Sequence, residues 1–116
     1  MRHRKKKVTL DRKKAARLAL LKTLATQFVL YEKITSTDAK VRALRPFVER
    51  LITRGKKNTL FSRRHLLKFL TVPSAVSKIL EEIAPRYIDR PGGYTRITKL
   101  NQRKGDGAHI AKIEFV

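Results

Sequence analysis

An α+β fold is predicted for this chain: about four helices packed on a small mixed or antiparallel three-stranded sheet, with a basic extended N-terminal arm. Three observations predict it. Apolar residues recur at spacings of three and four as far as Ile83. From Tyr94 onward the apolar period shortens to two. The charge is also uneven: residues 1–68 hold 21 basic and four acidic side chains, hence +17, whereas residues 69–116 hold eight and five, hence +3. A length of 116 residues suits one core. The expected organisation is a basic arm over residues 1–8 and a single globular domain over 9–116.

The arm, Met1-Arg2-His3-Arg4-Lys5-Lys6-Lys7, has too little apolar content to pack on anything. It starts like the charged region of a signal peptide. No apolar run follows, because Asp11, Arg12, Lys13 and Lys14 interrupt. The first helix is expected over about Asp11–Phe28, with Asp11 as its cap or in its first turn. Leu18, Leu21, Leu24 and Phe28, with Ala15 and Ala25 beside them, form its apolar stripe. Val29–Thr35 is rich in β-branched and aromatic residues and reads as a strand. Asp38 is the expected N-cap of the second helix, Val41, Leu44, Val48, Leu51 and Ile52 its stripe, and Gly55 its stop; Pro46 is expected to kink it. A third helix is expected over about Thr59–Leu70. A fourth opens at Pro73, carries Val76, Ile79, Leu80 and Ile83 on one face, and ends at Pro85.

Residues 94–100 and 109–116 read as two strands of an antiparallel hairpin, since Ala111, Ile113 and Phe115 alternate with Lys112 and Glu114. The Gly-rich segment between them puts Arg103 and Lys104 at the tip. Val29–Thr35 is expected to join this hairpin as a third strand, helices covering one face. Arg96 has two readings, an RNA-facing cation or a cross-strand partner of Glu114.

Function follows first from charge. The chain holds 29 Lys and Arg against nine Asp and Glu, a net of +20. So many cations cannot be paired internally, and a large polyanion is their natural partner. The chain has no cysteine, which excludes disulfides and Cys-ligated zinc. No apolar run approaches the roughly 18–20 residues that span a bilayer. The cytosol is the expected compartment. His3, His65 and His109 share no metal-ligand spacing, and no Ser/His/Asp arrangement is suggested. Glu81 and Glu82 are adjacent on a helix and point apart. Gly92-Gly93 lacks the Lys-Ser/Thr of a phosphate loop and reads as a turn. No catalytic residue, metal, cofactor or small-molecule substrate is therefore expected.

The chain shows no zinc finger, basic zipper or aromatic RNP motif. With three Tyr and five Phe, mostly suited to packing, recognition through backbone and shape is the better reading than base stacking. His65 reads as a surface or RNA-facing residue; Tyr87 and Tyr94 have two readings, core or surface packing first and base stacking second. The expected phosphate contacts are Arg2, His3, Arg4, Lys5, Lys6 and Lys7 in the arm. Arg12, Lys13 and Arg17 follow on the first helix, then Arg42, Arg45, Arg63 and Arg64, with Arg103 and Lys104 at the hairpin tip. A DNA-binding architectural protein is the alternative of the same electrostatic kind.

The residues also carry a resemblance. Ile34-Thr35-Ser36-Thr37 with Lys40 and Leu44-Arg45-Pro46, then Leu51-Ile52-Thr53 and Arg63-Arg64, occur in the order found in one family. The most specific stretch is Ala84-Pro85-Arg86-Tyr87 through Asp89-Arg90-Pro91-Gly92-Gly93-Tyr94-Thr95-Arg96-Ile97, followed by Arg103-Lys104-Gly105-Asp106 and Ile113-Glu114. The chain resembles the bacterial large-subunit ribosomal protein seventeen family over essentially its whole length. Ser36 and Ala39 depart from that pattern, where Thr and Pro are frequent. The resemblance implies a structural constituent of the large subunit of a bacterial-type ribosome in the cytoplasm. Its partners would be the large-subunit ribosomal RNA and neighbouring ribosomal proteins, near the rim of the nascent-chain exit tunnel. It implies no catalysis.

Overall fold

Helix α1 (Lys14–Tyr31) leads into strand β1 (Lys33–Thr37), which runs directly into helix α2 (Asp38–Gly55). These and the elements below come from a computed structural model that describes residues 8–116. The proposed arm positions Arg2 to Lys7 lie outside the described residues. Helix α3 (Leu60–Leu67) follows, and then a compound fourth helix. That helix begins as α4 (Pro73–Lys78), widens into a π turn (Ile79–Ile83) and closes as α5 (Ala84–Arg86). Strands β2 (Thr95–Lys99) and β3 (Ile110–Phe115) complete an antiparallel sheet of order β1-β3-β2.

The α+β class and the three-stranded sheet are as the sequence predicts, and the boundaries shift. The first helix starts three residues after Asp11. Leu10 and Asp11 sit in a left-handed turn at φ 52° and 53°, and Lys13 is the N-cap with no side-chain bond. Asp11 therefore does not cap the helix. Tyr31, expected in the strand, is still helical. The chain reverses at Glu32, whose φ of 64° lets its N–H reach the Phe28 carbonyl at 2.7 Å. Asp38 is the first residue of α2 and not its cap. Its carboxylate lies in the first turn, where the helix dipole favours an anion.

Two further boundaries have steric causes. Gly55 does not stop α2 through a left-handed conformation; the positive φ belongs to Asn58, at 44°. Gly55 is the buried last residue of the helix, and a Cβ there would meet Ile79 Cγ2 at 2.7 Å. Its missing side chain lets α2 approach the fourth helix closely. Pro85 does not end the helix at Ala84 either. The π turn before it bonds the Ala84 N–H to the Ile79 carbonyl. That wider turn removes the usual clash of a proline ring with the carbonyl four residues earlier, so one more turn forms. In α2 the helix continues unbroken through the exposed Pro46.

The core lies between the sheet and the helices. Phe28 and Val29 of α1 meet Val41, Leu44, Val48 and Ile52 of α2, all 0% exposed. Val76, Ile79 and Ile83 close one side, with Ile113 of the central strand on the sheet face. Each such side chain contributes about 1.5–3 kcal/mol by leaving water. Tyr94 and Tyr87 are buried too, with ring centroids 5.2 Å apart. The Tyr94 hydroxyl lies 3.0 Å from Thr53 Oγ1, and Tyr87 donates to the Val116 carbonyl at 2.8 Å. Both tyrosines pack in the core, as read from the sequence.

The predicted stripe on α1 is only partly buried by this chain. Ala25 and Phe28 are enclosed, whereas Ala15 is exposed and Leu18 is 36% exposed. An 18-residue helix is about 27 Å long. Only its last turns carry the buried residues that meet α2, α4 and β1, so the first half projects.

Candidate nucleic-acid interface

The fold spreads cations over three helices and one sheet face. Arg12 and Lys13 precede α1, and Arg17 lies on its projecting half; Arg12 and Lys13 are exposed and Arg17 half-buried. The turn before the helix is held by the Arg12 N–H on the Thr9 carbonyl at 3.0 Å and by Arg12 Nη1 on the Leu10 carbonyl at 2.9 Å. Helix α2 presents Arg42, Arg45, Arg50 and Arg54 around a polar exterior. Helix α3 starts where Thr59 Oγ1 accepts the Ser62 N–H at 3.1 Å. This cap starts the turn that carries Arg63 and Arg64.

On the sheet, inward residues Ile34, Ile113 and Ile97 stand in one cross-strand row. The outward row beside it is Lys33, Glu114 and Arg96. Arg96 Nη2 donates to Glu114 Oε1 at 3.0 Å, and this bond leads the forces that lower the Glu114 pKa. Of the two readings of Arg96, the cross-strand pair is the one observed.

The candidate cations divide by partner. Arg42 Nε lies 3.1 Å from Asp38, and Arg45 Nε 3.4 Å from Glu49, each one helical turn away. Exposed pairs of this kind are worth about 0–1 kcal/mol, and their guanidinium groups can still face a phosphate. Arg103 is held more firmly. Its Nε and Nη2 reach the two Asp106 carboxylate oxygens at 3.1 and 2.5 Å. This bidentate bond, helped by the Ala108 N–H, lowers the Asp106 pKa to about 2. Lys104 beside it is exposed. Arg12, Lys13, Arg17, Arg63, Arg64 and Lys104 form no ion pair among the described residues.

The candidates do not converge on one point. Those of α1, α2 and α3 lie on separate elements, and Arg103 with Lys104 lies at the far end of the hairpin. Such dispersion suits a long, curved polyanion better than a compact ligand. Among the described residues, no three His, Cys, Asp or Glu side chains come together. No helix there is long and apolar enough to cross a membrane.

One feature escaped the sequence reading. Phe61, expected to pack, is 67% exposed. It begins an aromatic row that runs along α3 and past its end, with His65 at 6.5 Å and 25° between ring planes, and Phe69 5.0 Å beyond His65 and tilted by 54°. Their spacing of four residues is the available signal. His65 and Phe69 line a groove of about 900 Å³ together with Arg50, Arg54, Lys57 and the Pro91-Gly92 turn, and Phe61 stands outside that lining. Burial, with Arg54 and Lys68 nearby, lowers the His65 pKa.

The described domain is thus α+β in class and strongly basic, within a net charge of +20. Comparison with known proteins specifies it. Residues 20–116 match the family described as Ribosomal protein L17. "Large ribosomal subunit protein bL17" of Hydrogenobaculum sp. (strain Y04AAS1) is 53% identical, covering 100% of this chain and 99% of that protein. The protein of that name from Gemmatimonas aurantiaca is 47% identical over 100% of this chain and 98% of its own length. That from Fusobacterium nucleatum is 47% identical over the whole of both. The chain belongs to the ribosomal protein L17 family.

Proposed function

We propose that the protein is a structural constituent of the large subunit of the bacterial ribosome, in the cytoplasm. It binds ribosomal RNA by Lys and Arg contacts to phosphates and transforms no substrate. The observation that carries this reading is the surplus of cations lacking acidic partners, within a net charge of +20. Family membership and the names of its relatives support the ribosomal setting. Arg12, Lys13, Arg17, Arg42, Arg45, Arg63, Arg64 and Lys104 supply phosphate contacts, joined by Arg2, His3, Arg4, Lys5, Lys6 and Lys7. Arg103 contributes through one face of its guanidinium while Asp106 holds the other. By family resemblance the protein sits beside other ribosomal proteins near the rim of the nascent-chain exit tunnel.

Binding to large-subunit RNA fragments, measured against salt, tests this. If about ten phosphates are contacted, the log–log slope is on the order of −7 to −9. A flat slope, or preference for duplex DNA in competition, overturns it. Crosslinking within intact large subunits checks the location, with tunnel-rim neighbours as the expected products.

A further inference from the structure

We propose that the groove between α2 and α3 receives an unpaired RNA nucleotide, its base stacked against His65 and Phe69 and its phosphates held by Arg50, Arg54 and Lys57. The proposal rests on the RNA-binding reading and gives it a specific subsite.

The aromatic row is an unusual surface on so polar a protein. Phe61 buries little in this chain and stands beside two residues of the groove. The Arg54 guanidinium carbon lies 5.8 Å from its ring centroid, and His65 lies nearly parallel to it. Phe69, at the other end, is braced edge-on by Phe47 at 5.7 Å and 81°. His65 and Phe69 are thus each held by a neighbouring ring, with 54° between their planes, which lowers the entropy cost of stacking a ligand on either. His65 favours its neutral form, so its ring offers a planar donor and acceptor and adds no charge.

Charge selects the occupant. Arg50, Arg54 and Lys57 have no acidic partner among the described residues. Glu49 also lines the groove, but Arg45 and the Thr95 hydroxyl, at 2.9 Å, occupy its carboxylate. The groove therefore pairs π faces with cations, the combination by which single-stranded nucleic acid is held. A paired A-form duplex offers phosphates but keeps its base faces inside the helix. An unpaired nucleotide offers both at once. At about 900 Å³ the space falls within the roughly 300–1,000 Å³ of pockets that admit a small planar molecule.

The test uses the full chain and two RNA hairpins, identical except that one carries a single bulged adenosine. Affinities are measured by fluorescence anisotropy at several salt concentrations. The bulged hairpin is expected to bind about tenfold tighter. The double variant His65→Ala/Phe69→Leu is expected to lose that preference while its affinity for the paired hairpin stays within about twofold. His65→Trp, which keeps a stacking face, is expected to retain the preference. Equal affinity of the wild-type protein for both hairpins overturns the proposal and leaves the groove to a protein segment. A preference that survives the double variant also overturns it. Affinity for both hairpins that ignores salt overturns the RNA-binding reading itself, a result distinct from the other two.

Discussion

Lys78 of α4 ties down the end of α1: its Nζ donates to the Leu30 carbonyl at 2.8 Å and stands 3.6 Å from Glu32 Oε2. Leu30 is in the last turn of α1, where carbonyls lack helical partners. Arg86 adds a second bond to Glu32, and that bond leads the forces that lower the Glu32 pKa. One left-handed residue is thus held by two cations from the compound helix. Lys78→Met is expected to destabilise the fold by about 1.5–3 kcal/mol, the usual worth of a hydrogen bond to a charged group. Urea unfolding of both proteins measures it.

Gly55→Ala is expected to destabilise the protein although alanine is the better helix former. Helix propensity alone would favour the change by roughly 1 kcal/mol. The added Cβ meets Ile79 Cγ2 at 2.7 Å, with Ala84 and Leu66 also near, in a packed core. Overpacking of that kind costs about 1–3 kcal/mol. A lowered melting temperature is the expected readout; a raised one would show that α2 and the fourth helix can separate without loss.

The hairpin tip is expected to keep its charge state far into acid. The Asp106 value of about 2 lies below the ordinary 3.8. The contact with Arg103 is therefore at full strength above pH 3.8 and is lost as the pH falls through about 2. An NMR titration of the Asp106 carboxyl and the Ala108 amide is expected to show one midpoint near 2 for both. In Asp106→Asn that transition disappears from Ala108.

Deleting residues 1–7 removes Arg2, Arg4, Lys5, Lys6 and Lys7 and no buried residue of the described core. The melting temperature is expected to stay nearly unchanged. The salt slope of RNA binding is expected to become shallower by on the order of 4, close to one unit per lost phosphate contact. An unchanged slope would assign the phosphate contacts to the helices alone.

Periodicity located the elements that bury a face. In α2, Val41, Leu44, Val48, Leu51 and Ile52 are all buried, and the fourth helix buries Val76, Ile79, Leu80 and Ile83. It was less informative where apolar residues outnumber the room beneath them. Leu18 on α1 and Leu60, Phe61 and Leu67 on α3 fit helical spacing yet remain exposed. A pattern records which residues share a side, and the length of the neighbouring element decides how many are covered. Boundaries moved for backbone reasons at Glu32 and at Pro85, where the cause is a turn with no unique residue type; at Gly55 the expected stop holds, and a close approach is its cause. The site was legible as charge. Its pairings needed cross-strand register, which sets Arg96 beside Glu114, and the groove needed tertiary contact between α2 and α3.

Strand β3 occupies the middle of the sheet although it is made after both of its neighbours. β1 and β2 bond to it and not to one another. During synthesis, Lys33–Thr37 must wait for more than seventy residues before any ladder can close on it. The helices can form locally in that interval, since their contacts are short-range. A chain released before Ile110 is expected to be helical by circular dichroism and to lack all strand signal, so the domain matures in a single late step.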